Sequence, residues 1–327
     1  MARGDAMNGV VGQHSGSGRA VLVAVALALV VFQASGASQG VIGNLTFDSG
    51  QSVVPHYHGW EKLPNGTIDV HFGYLNRNWE EELDIPIGPE NEISAPFGPD
   101  AGQPTHFLPR ANRWQFKVNV PAAFLDSKQE VVWTLTSRGN TLRAYSNFHP
   151  VFVQDEFGRQ NEFYGSAAGN TAPKVVVEGS LQRTAKVGEA ITLTAVATDD
   201  GIPAIRAPNG GSGGGGRLEN GRRRIATSGS VGGSQNRGPA FGLRFAWYLY
   251  RGVGQVKFNP PPFKVWEDNR AGADSPFSPA WLPPAVPEGN RWVYQAVFTR
   301  PGTFVLRGQG HDGLLFAYQD VTVTVTP

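Results

Sequence analysis

The stretch RWQFKVNV, Arg113 to Val120, switches between apolar and polar at every step. Trp114, Phe116, Val118 and Val120 fall on one face, and Gln115, Lys117 and Asn119 on the other. A strand sends successive side chains to opposite faces, so a period of two predicts a half-buried β-strand. EVVWTLTS (130–137) and TLRAYSNF (141–148) have the same strand-like composition, with Arg138-Gly139-Asn140 as the turn between them. ITLTAVAT (191–198) alternates too. LRFAWYLY (243–250) puts Leu243, Phe245, Trp247 and Leu249 on one face, and RWVYQAVFT, GTFVLRGQG and DVTVTVT continue the series. The 42 glycines and 24 prolines supply turns, and long amphipathic helical patterns are nearly absent. The expected fold class is all-β, with two β-sandwich domains.

The chain of 327 residues has room for two such domains. The first is expected over 41–163 and the second over 173–327, with a small, polar linker at 164–172. Within the first, GPENEISAPFGPDAGQPTHFLPRAN (88–112) reads as a long proline- and glycine-rich loop of the kind that often binds or covers a ligand. Within the second, residues 204–240 hold GGSGGGG, GRRR and more glycine and serine. This insertion has too little apolar surface to offset the cost of ordering it, and is expected to be disordered. Its arginines (206, 217, 222–224 and 237) have no interleaved aromatics, which argues against base stacking and for a solubilising tether. The G-x-S-x-G match at 210–214 and the G-x-G-x-x-G match at 211–216 lack the flanking strand and helix that give those motifs their chemistry. A net charge of +1 gives no electrostatic case for nucleic acid.

No cysteine is present, which excludes disulfides and thiolate chemistry. Near the N-terminus, Arg3 and Arg19 precede VLVAVALALVVF, Val21 to Phe32. Twelve residues make a helix of ~18 Å, short against a hydrocarbon core of ~30 Å. Small residues follow, with Ser35 and Ala37 placed for cleavage. Residues 1–37 therefore read as an export signal peptide, with an uncleaved anchor as the alternative; cleavage would leave an extracytoplasmic protein with no stable membrane span.

The order VGEAITLTAVATDDG (187–201), LRFAWYLYRGVGQVKF (243–258), FTRPGTFVLRGQGHDG (298–313) and DVTVTVT (320–326) resembles PKD-like domains, which are immunoglobulin-like β-sandwiches of extracellular proteins. Thr198-Asp199-Asp200-Gly201 and His311-Asp312-Gly313 match two of that family's corners, and Trp247 matches its third-strand tryptophan. The resemblance implies a role in adhesion, binding or spacing. The insertion at 204–240 and a second insert at 263–290 depart from the family's short turns. The first block is similar to uncharacterised exported bacterial proteins, a likeness that implies no activity.

PHYHGWEKLPNGTIDVHFGY (55–74) holds three histidines. A two-residue turn at Asn65-Gly66 would bring His56 and His58 to the same face as Asp69 and His71, a zinc-like set. A type I turn at Pro64-Asn65, with Gly66 as a bulge, would instead pair Leu63 with Thr67. It would place His56, His58 and Trp60 beside Ile68, Val70 and Phe72, with His71 opposite. Proline cannot donate the ladder hydrogen bond that the first register needs, so turn chemistry favours the second. His56 and His58 remain a two-histidine metal candidate, with His106 or His149 as a third ligand. Glu80, Glu82 and Asp84 share a strand face that reads as charged edge protection or a cation surface. Asp199, Asp200 and Asp312 read as turn caps, or as ligands for calcium, the one cofactor these residues suggest. The expected function is non-catalytic binding, adhesion or assembly with a protein or polysaccharide at the cell envelope, through Phe97, Phe107, Trp266, Phe277 and Trp281. The alternative is a metal-dependent or carbohydrate-active enzyme using His56 and His58 with nearby carboxylates.

Overall fold

The structure, a computed structural model, describes residues 46–162, 167–205 and 240–327. The expected signal peptide, and nearly all of the 204–240 insertion with its arginines and chance motifs, lie outside the described residues. Phe47–Pro327 groups as one unit and holds two large apolar cores. Strands dominate it. The one α-helix among the described residues is α1 (Glu156–Glu162), and none is long and apolar enough to cross a membrane.

The first core lies between two antiparallel sheets. One has the order β1-β2-β6, from β1 (Val53–Lys62), β2 (Ile68–Asn76) and β6 (Arg110–Val120). The other has the order β4-β7-β8, from β4 (Asn91–Ile93), β7 (Val132–Ser137) and β8 (Asn140–Tyr145). Val70, Phe72, Phe116 and Val118 meet Trp133 and Leu135 across the gap. Trp133 is fully buried and meets the Phe116 ring edge to face at 4.8 Å, a favoured quadrupole geometry. Two very short strands, β3 (Leu83–Asp84) and β5 (His106–Phe107), pair with each other. The 88–112 stretch is therefore not one open loop, because β4 and β5 pin it to the sandwich.

The second core lies between two four-stranded sheets. Their orders are β10-β16-β15-β12 and β13-β14-β11-β9. The strands are β9 (Lys174–Val177), β10 (Gln182–Lys186), β11 (Ala190–Thr198), β12 (Arg244–Arg251), β13 (Val256–Asn259), β14 (Arg291–Phe298), β15 (Gly302–His311) and β16 (Phe316–Thr326). All pairs are antiparallel except β10 with β16. Phe245, Trp247 and Leu249 face this core and Leu243 packs against it, as their alternation predicts. The residues between them are buried as well, because Tyr248 and Tyr250 pack on Leu108 of the first block. A strand covered on both faces loses its polar side, which explains why LRFAWYLY is apolar almost throughout.

Buried polar groups tie the two blocks together. Arg307 is 3% exposed. Its guanidinium lies between the rings of Tyr250 and Tyr318, at 3.4 and 3.8 Å from their centroids. It pairs with Asp320 at 2.8 Å and donates to the Gln115 carbonyl of β6. Thr105 N donates to Tyr250 O at 3.2 Å, and Arg251 grips both Asp100 oxygens at 3.0 and 2.7 Å. A desolvated guanidinium with its donors used and a ring on either side is well compensated.

Candidate binding site

The 55–74 hairpin shows how its chemistry was redirected. Leu63 N donates to Thr67 O, Gly66 N donates to Leu63 O, and Gly66 sits at φ +87°. This is the bulged register that Pro64 demands, with Lys62 opposite Ile68. Trp60 faces the core opposite Val70 as expected, but His56 and His58 do not. A second bulge places Tyr57 opposite Phe72 and Gly59 opposite His71, leaving His58 as the extra residue. One inserted residue reverses every side chain beyond it. Tyr57 therefore packs on the core, while His58 turns to the side of His71.

Trp114 receives both histidines. It adopts φ +56° and leaves the Phe116, Val118 and Val120 face on which the alternation placed it. It joins Phe241, Phe277 and Leu314 in a separate cluster. His58 stacks on its indole at 5.0 Å, and His71 meets it edge-on at 5.0 Å. Glu162 Oε2 accepts from both His58 Nδ1 and Trp114 Nε1, at 3.0 and 2.9 Å. Burial holds the His58 pKa below its ordinary value, so the ring is neutral and donates from Nδ1. Burial works against the Glu162 carboxylate, but those donors outweigh it and keep its pKa low. The histidines thus serve an aromatic stack. No group of three or more histidine, cysteine, aspartate or glutamate side chains that could hold a metal ion occurs among the described residues.

The acidic run also departs from expectation. Only Leu83 and Asp84 form a strand there, and Glu80 and Glu81 form ion pairs with Arg270 and Arg138. Glu82 and Asp84 clasp His106, at 3.0 Å to Nε2 and 2.7 Å to Nδ1. Burial alone would lower the His106 pKa, but the two carboxylates outweigh it and raise it to about 9. His106 is thus an imidazolium with both donors used. Asp84 also accepts from Gly254 N, at 3.1 Å, so the clasp spans both blocks. His149 N-caps a short 3-10 turn, where its Nδ1 accepts from Val151 N at 3.2 Å.

Of the aromatics expected on a contact surface, Phe107 and Phe277 are 0% and 4% exposed and belong to packed clusters, so they are corrected to structural residues. Phe97 packs half-buried against Phe124, 5.3 Å away. The 263–290 insert has no strands but is tied down internally. Asp268 is fully buried and pairs with Lys264 and Arg270 at 2.8 and 2.6 Å. Burial works against the Asp268 carboxylate, but its basic partners bring its pKa down to about 2. Trp281 donates to Asp274 at 2.7 Å and packs against Phe263.

Trp266 lies differently. The segment from Pro261 to Trp266 forms one wall of a cleft of about 520 Å³. Trp247, Val256, Phe258 and Leu108 contribute to the other sides, with His106 and Glu82 also at its lining. β12 and β13, which border it, are edge strands of their two sheets. The indole N–H groups of Trp247 and Trp266 are buried without a hydrogen-bond partner. Trp247 is fully buried against the second core, so of the two rings it is the part-exposed Trp266 that a ligand in the cleft can meet. Sequence reasoning singled out Trp266 from its composition, as one of five expected contact residues. It missed the cleft, because β12 and β13 are edge strands only in the assembled fold.

No family model matches the chain, and no curated protein matches it by sequence. Among solved structures it is similar to domains 4 and 5 of the S-layer protein SbsC, at 6% identity and a TM-score of 0.22, over 61% of this chain and 66% of that one. It is similar to the Yersinia pseudotuberculosis adhesin InvE at 12% and 0.20, over 87% and 61%. A third is a structure of fibronectin(III)-like modules from Clostridium thermocellum CbhA, at 8% and 0.20, over 79% and 85%. The chain thus spans just under two thirds of the first two. At these scores nothing about its function follows from them.

Proposed function

We propose that this chain is an exported, non-catalytic binding or assembly protein of the cell envelope, and that it seats an extended polypeptide segment in the cleft between β12, β13 and Pro261–Trp266. One observation carries this reading: a pre-formed, largely apolar cleft bordered by two edge strands, with the part-exposed Trp266 in its wall. Edge strands offer backbone donors and acceptors to an added strand, and pockets beside them select alternate side chains. Pre-formed concave sites with few polar groups are the usual form of binding sites. The surface first drawn from the sequence contracts to Trp266 and its neighbours.

The test is selection of peptides from a displayed random library, followed by tryptophan-fluorescence titration. Selected peptides bind the whole protein, and Trp266→Ala weakens them about ten-fold or more, as loss of a central aromatic anchor does. Equal affinity for wild type and Trp266→Ala, or a library that yields no binder, would refute the reading. Binding of soluble envelope polysaccharide at the same site would move the partner to another class.

A further inference from the structure

Three side chains carry buried polar atoms that make no well-formed hydrogen bond among the described residues. Asp312, after β15, is 0% exposed. Its Oδ1 accepts from Leu314 N and Leu315 N at 2.6 and 2.7 Å, while Oδ2 has no partner. Asn170 is 3% exposed, and its amide makes no well-formed hydrogen bond, having only a weak contact with the Asp312 carboxyl. Asp199, after β11, accepts at Oδ2 from Gly201 N, 2.9 Å away, and has its Oδ1 buried without a hydrogen bond. They lie at one end of the sandwich: Thr171, next to Asn170, donates to Asp200, next to Asp199, and the Asn170 amide is against the Asp312 carboxyl. Asp200 is excluded, because its oxygens are taken by Thr171 N, Thr171 Oγ1 and Ile202 N, each at 2.8 Å.

We propose that Asp199, Asp312 and Asn170 form a calcium site that fastens the 167–171 segment to the corners after β11 and β15. The free atoms include two carboxylate oxygens and an amide oxygen, the ligand chemistry of a hard cation. Calcium accepts the irregular geometry of loop corners, whereas magnesium demands a near-ideal octahedron. The charge also fits. Two carboxylates match a divalent cation, and Arg244, whose charge reaches Asp312, already donates Nη1 to Ala240 O at 2.6 Å.

The experiment uses the whole protein, stripped with EDTA and then dialysed against about 1 mM calcium chloride, the working range of extracellular calcium modules. Metal content is read by mass spectrometry and melting temperature by calorimetry. The expected result is one calcium per chain and a melting temperature raised by about 3 °C or more. Both are lost in Asp199→Asn, whose half-exposed side chain makes it the variant safest for folding, and in Asn170→Ala. Absence of bound calcium with identical melting in EDTA and calcium would overturn the proposal. So would calcium binding that survives both substitutions.

Discussion

His106 holds its place through charge, and the pH dependence of that charge has a definite sign. Its folded pKa of about 9 lies above the ordinary histidine value of about 6.5. The stability it contributes is therefore fully present below pH ~6.5 and is lost as pH rises through about 9. Melting temperature should fall between pH 7 and pH 9.5 in the wild type. In His106→Asn it should start lower at pH 7 and stay flatter across the same range; parallel profiles would contradict the clasp. At this scale little of the site was legible. Phe107 and Phe277 have a composition that suits a contact surface, and only the assembled core shows that they face inward. Asn170 carries no motif and becomes noticeable only beside Asp312.

Turn chemistry decided the register of the β1–β2 hairpin from five residues, Leu63 to Thr67. It could not reveal the bulge at His58, which depends on what packs behind the strand. A side chain on Gly59, at φ +117°, would come within 2.5 Å of Phe152 O and 2.6 Å of the Gln154 side chain. Gly66, at φ +87°, has nothing within 4 Å. Gly66→Ala should cost about 1 kcal/mol from backbone conformation alone. Gly59→Ala adds the clash, and should cost about 3 kcal/mol. Denaturant titration compares them, and equal losses would place the bulge elsewhere. The alternation in β6 was legible from Phe116 to Val120. It failed at Trp114, where a positive φ turns the indole away from that face to meet His58 and His71.

Across the whole molecule the all-β class followed from period-two alternation and turn residues, and β12 shows why the arrangement of the blocks did not. Its outward Tyr248 and Tyr250 read as ordinary strand residues, yet they form the contact with the first block, and Arg307 is clasped above them. The cleft is a product of that assembly, since it needs Leu108 and His106 from one block and β12 and β13 from the other. The most direct test is amide hydrogen exchange of the whole protein with and without a library-selected peptide. An added strand should slow exchange along 244–251 or 256–259 and at Trp266, and leave the 55–74 hairpin unchanged. Protection confined to the hairpin, or spread evenly over both blocks, would contradict a binding cleft at these edges.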